Sequence, residues 1–76
     1  MNDNKKVVEN DPSQGKIKFI IGLFNSKKLV EAKNEIDKQL VLYPKSSYLF
    51  NILGAIYSTQ NKLQKALASY NQSIKN

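Results

Sequence analysis

The sequence predicts an all-α chain of two helix-turn-helix hairpins, and three observations predict it. Ala32 and Ala66 lie 34 positions apart, and sliding the chain over itself by that interval brings the flanking residues into matching roles. A period of this length marks a repeated helical hairpin. Apolar residues recur every three or four positions through four segments, the spacing that gathers them on one side of a helix. No segment favours a strand.

Each element follows from its own residues. After Met1, residues 2–11 carry only Val7 and Val8 as apolar content, too little burial to offset the entropy of ordering, so a flexible polar tail is expected over residues 1–11. Asp11-Pro12-Ser13 offers a capping side chain and a proline suited to a first helical turn, and Ile17, Ile20, Ile21 and Phe24 recur at helical spacing. A first helix over about 13–24 is predicted, with Asn25-Ser26-Lys27 as the break and Asn25 as the residue able to turn left-handed. The second helix runs to about Tyr43. Leu29, Ala32, Ile36, Leu40 and Tyr43 form its apolar stripe, and Glu31, Lys33, Asn34, Glu35 and Lys38 take its other sides.

Pro44 cannot continue that helix, and Ser46 or Ser47 can cap the next. The third helix, from Ser47 to about Gln60, is apolar around most of its circumference: Tyr48, Phe50, Ile52, Leu53, Ala55, Ile56 and Tyr57. Such a helix has neighbours on more than one side. Asn61 marks the next turn, and Leu63, Ala66, Leu67, Tyr70 and Ile74 define a fourth helix.

The second copy reads Phe50, Leu53-Gly54, Tyr57, then Ala66 and Tyr70, with Pro44 closing the copy before it. An aromatic, Leu-Gly, Tyr, a small residue, an aromatic and Pro, in that order, are the marks of a 34-residue repeat. The chain therefore resembles the tetratricopeptide repeat family over roughly residues 13–76. The resemblance implies a short right-handed α-solenoid of two repeats, about 13–46 and 47–76, in the segment 12–76. Gly54 and Ala66 would supply the gaps through which two helices approach closely, with Leu53, Tyr57 and Tyr70 filling the space beside them. Phe19, Leu23 and Ile36 would do so in the first copy. That copy departs from the pattern: Lys16 replaces the opening aromatic and Ile20 the small residue. A bulky Ile20 would push the first helix away from the second, unless Gly22 provides the close approach in a shifted register.

A chain of 76 residues makes one domain at most, burying only about 60% of the surface its unfolded form exposes. It contains no Cys and no His, which removes disulfides, zinc sites built on those ligands and His-based acid-base chemistry. There is no glycine-rich phosphate loop. Glu31, Glu35 and Asp37 read as a solvated face with Lys27, Lys28 and Lys38 in helical reach. No catalytic residue, metal ligand or cofactor is expected, and no enzyme. The apolar stretches are too interrupted to cross a bilayer and the amino terminus has no apolar signal core, so a cytoplasmic location is the expectation.

All twelve basic residues are Lys, net charge is +6, and Asp37 is the last acidic residue, leaving five Lys unopposed from Lys38 onward. An acidic partner suits that half, but the absence of Arg weighs against specific nucleic-acid recognition. What remains is surface. The resemblance implies a concave side lined by the first helix of each repeat, which binds a protein or peptide. By alignment it carries Tyr48, Asn51, Ala55, Ser58 and Thr59 on the third helix, and Gln14, Ile17, Ile21, Phe24 and Asn25 on the first. Ile52 stands where family members that clamp chaperone carboxyl termini have Asn, so that activity is not expected. The functional expectation is an interaction or scaffold module, part of a longer repeat array. Self-association through the open carboxyl-terminal helix is a further expectation. The alternative is a Lys-rich helical binder of nucleic acid or anionic surfaces.

Overall fold

A computed structural model describes residues 10–75. Among them it contains four helices and no strand: α1 (Gln14–Asn25), α2 (Leu29–Leu42), α3 (Ser47–Thr59) and α4 (Leu63–Lys75). No helix among the described residues is long and apolar enough to cross a membrane. Residues 1–9, expected as a tail, lie outside the described residues.

Serine starts both first helices of the hairpins. Ser13 accepts the Lys16 amide at 3.2 Å, and Ser46 accepts the Leu49 amide at 3.2 Å, each satisfying an amide that no helical carbonyl can reach. Asp11, expected as the capping side chain or as tail, does neither. Its carboxylate accepts a hydrogen bond from the Ser46 hydroxyl, and Pro12 beside it is buried. The strap before α1 is thereby fastened to the start of α3.

The turns within the two hairpins are copies of one another. After α1, Lys27 donates to the Phe24 carbonyl and Lys28 to the Leu23 carbonyl; after α3, Asn61 donates to Ser58 and Lys62 to Tyr57, at 2.8–3.0 Å. This is the pair of hydrogen bonds that closes a helix through one left-handed residue. Those residues are Lys27 (φ 66°) and Asn61 (φ 62°). Asn61 was expected to turn. Asn25 was not the residue that turns in the first hairpin: it still belongs to α1, and the geometry selects the position two residues beyond the helix end, whatever side chain stands there.

Packing centres on α3, which touches α1, α2 and α4; α1 also touches α2, and among the described residues α4 touches α3 alone. Ile17, Ile20, Ala32, Ile36, Leu49, Leu53 and Ile56 form the core. Leu49 is fully buried although it falls outside the apolar set read from the sequence for the third helix. The two hairpins differ in closeness: α3 and α4 lie together along far more of their length than α1 and α2. Gly54 is buried against Tyr70, with no room for a side chain. Its equivalent Ile20 is fully buried and keeps α1 off α2, as its bulk predicts. Gly22 provides no close approach, since a Cβ there would meet nothing within 4 Å.

Phe19 departs from expectation as well. It is 52% exposed, whereas its equivalent Leu53 is buried. Leu53 faces the first hairpin; α1 has no preceding hairpin among the described residues to cover Phe19.

Candidate functional site

The surface between α1 and α3 holds the residues that sequence reasoning singled out, but it distributes them over separate clefts. Ile17, Ile21 and Tyr48, with Gln14, line a cleft of about 430 Å³ completed by Asp11, Pro12 and Lys18. Ile17 is nearly buried and forms its base, while Tyr48 is 58% exposed and forms one wall. The Asp11–Ser46 bond holds the strap at one edge. The cleft therefore has an apolar floor, an aromatic wall and one charge of each sign on its rim.

A second, polar hollow of about 330 Å³ opens beside Tyr48 and Asn51, bounded by Ser47 and Ser73. There Ser47 donates to the Ser73 carbonyl at 3.0 Å, tying the start of α3 to the end of α4. Asn25 and Thr59 line a third cleft of about 210 Å³ with Phe24, Lys27 and Leu29. Ala55 and Ser58 line none of these clefts. Ala55 is half-buried, and its carbonyl accepts the Thr59 hydroxyl at 2.9 Å.

Asp11, Pro12 and Lys18 were missed. Lys18 had a signal, because positions 14, 18 and 21 fall on one side of a helix at spacings of four and three. Asp11 and Pro12 had none, since their placement depends on a bond to Ser46 across 35 positions.

The expected solvated acidic face proves more structured than its composition suggested. Glu35 is half-buried and pairs with Lys16 of α1 at 3.0 Å, taking a second hydrogen bond from Gln39 at 3.3 Å. The Lys16 ammonium lowers the Glu35 pKa, because it favours the charged carboxylate, and Gln39 acts the same way. Lys16 also lies 5.3 Å from the centre of the Phe19 ring. Lys16 thus joins α1 to α2 through charge. On the other side of α2, Lys33 pairs with Asp37 at 2.9 Å, and that hydrogen bond raises the Lys33 pKa. Neither pairing uses Lys27, Lys28 or Lys38, the lysines that helical spacing had offered. Among the described residues no group of three or more acidic, His or Cys side chains is placed to hold a metal ion.

Compared with family models, curated proteins and solved structures, the chain matches none. The tetratricopeptide resemblance therefore rests on the residues themselves.

Proposed function

We propose that the chain is a protein-protein interaction module, two tetratricopeptide-like repeats stacked as a short right-handed solenoid, which binds a peptide segment of a partner in the cleft between α1 and α3. The observation that carries this reading is the cleft itself, formed by the first helices of the two hairpins around Ile17, Ile21 and Tyr48. Two features support the stacked arrangement. The hairpin turns repeat at 34 residues with the same hydrogen bonds, and α3 lies against both helices of the hairpin before it.

The cleft's chemistry suits an apolar or aromatic peptide side chain seated on Ile21 and beside Tyr48. An acidic neighbour would reach Lys18 and a basic one Asp11. Pockets that bury most of a small group start at about 300 Å³, so one or two peptide side chains match about 430 Å³. The reading is of a binding module and not of an enzyme.

A random peptide display library tests it. Selected peptides should share an apolar anchor with an acidic residue nearby, and Ile21→Asp or Tyr48→Ala should weaken them about tenfold or more, the effect of losing one well-buried anchor. Binding that survives both substitutions, or that follows only the peptide's net charge and vanishes with salt, would remove the cleft from consideration and favour the anionic-surface alternative.

A further inference from the structure

Among the described residues the two hairpins present the same face twice and cover it once. A step of 34 maps Leu29 and Leu40 of α2 onto Leu63 and Ile74 of α4. On α2 both residues pack against the core, and α3 lies against that helix. On α4 Leu63 is 64%, Leu67 60% and Ile74 80% exposed. Leu67 stands where α2 has Lys33, so the uncovered stripe is the more apolar of the two. None of its residues lines the α1–α3 cleft.

We propose that this stripe of α4 is a second docking surface and that its partner is an amphipathic helix with acidic flanks. The shape of the partner follows from the first hairpin, where the equivalent stripe is covered by a helix offering Leu49, Leu53 and Ile56. From Leu63 to Ile74 the stripe runs about 16 Å, at about 1.5 Å per residue, which three helical turns cover. The charge of the partner follows from the surroundings. From Lys38 onward the chain has Lys and no acid, Lys62, Lys65 and Lys75 being on or beside α4. A second copy would bring +6 toward +6, a repulsion that opposes self-association. An acidic helix gains both the burial and the attraction.

The probe is a synthetic peptide of about 20 residues, long enough for measurable helicity, with Leu at helical spacing on one side and Glu elsewhere. Its controls are the same peptide with Lys for Glu and a scrambled acidic peptide. The acidic amphipathic peptide should gain helicity by circular dichroism on binding the full chain, and should bind about tenfold or more tightly than either control, with affinity falling as salt is added. Leu67→Gln and Ile74→Gln, both at exposed positions, should each weaken it about tenfold while Tyr48→Ala leaves it unchanged. Equal binding of the acidic and basic peptides, no binding at all, or binding untouched by both Gln substitutions overturns the proposal. So does light scattering that shows a dimer dissolved by Leu67→Gln, which would assign the stripe to a second copy.

Discussion

Gly54 lies directly against the ring of Tyr70, so close that a Cβ at position 54 would stand 2.7 Å from Cδ1 and Cε1 and 2.9 Å from Cζ. The glycine of α3 and the aromatic of α4 are two halves of one contact. The first hairpin lacks this contact, having Ile20 at the equivalent position.

Gly54→Ala should accordingly destabilise the fold although alanine is the better helix former. The propensity gain is about 1 kcal/mol, while the overlap forces Tyr70 or all of α4 to move, at about 1–3 kcal/mol. Urea unfolding measures the balance. With Tyr70→Ala in the background the obstruction is gone, and Gly54→Ala should become stabilising. A loss of the same size in both backgrounds would show that Tyr70 is not the cause.

Ser46 is fully buried and serves two partners, accepting from the Leu49 amide and donating to Asp11. Ser46→Ala should cost about 1–2 kcal/mol, the upper part of the range for a lost helix cap. Asp11→Ala should cost less, and its cost should shrink further once Ser46 is replaced. Additive costs in the double variant would separate the strap from the cap.

Lys27 holds a left-handed backbone, φ 66°, which a side chain with a Cβ adopts at a cost of about 1–2 kcal/mol. Lys27→Gly should raise stability by about 0.5–1 kcal/mol, part of the relief being offset by the greater freedom of glycine in the unfolded chain. A lowered thermal midpoint would mean that the Lys27 side chain contributes contacts that outweigh its backbone.

The carboxyl of Glu35 ionises more readily in the folded chain than in the unfolded one because Lys16 sits beside it. Its contribution to stability is therefore present above the ordinary carboxylate range, about pH 4, and is lost as pH falls through the folded value. Glu35→Gln should flatten the acid side of the stability profile, and Lys16→Gln should flatten it in the same way. A profile unchanged in both variants would mean that the pair does not form in solution.

What could be read in the sequence was local. Apolar spacing, Ser caps and Pro44 depend on residues within one or two turns of each other, and the helix limits agree to within about a residue. What could not be read was set by distant neighbours. Phe19 has the spacing of a core residue, yet among the described residues no helix packs over it and it is exposed. Glu35 has the composition of a surface residue, and only the arrival of Lys16 from another helix partly buries it. The cleft shows the same division: Ile21 and Tyr48 came from helical alignment, while Asp11 entered through one long-range hydrogen bond.

Because α4 meets only α3 among the described helices, and α3 meets all the others, loss of order cannot spread between the two ends without passing through α3. Backbone amides of α4 should therefore exchange with solvent through openings that leave the first hairpin intact, whereas those of α3 should exchange only when the whole chain opens. With most contacts made between helices adjacent in sequence, little loop-closure entropy must be met before packing begins, and folding should be fast, in the microsecond to millisecond range of helical bundles. A ligand that clamps α1 to α3 would slow exchange in those two helices and leave that of α4, a helix it never touches, unchanged.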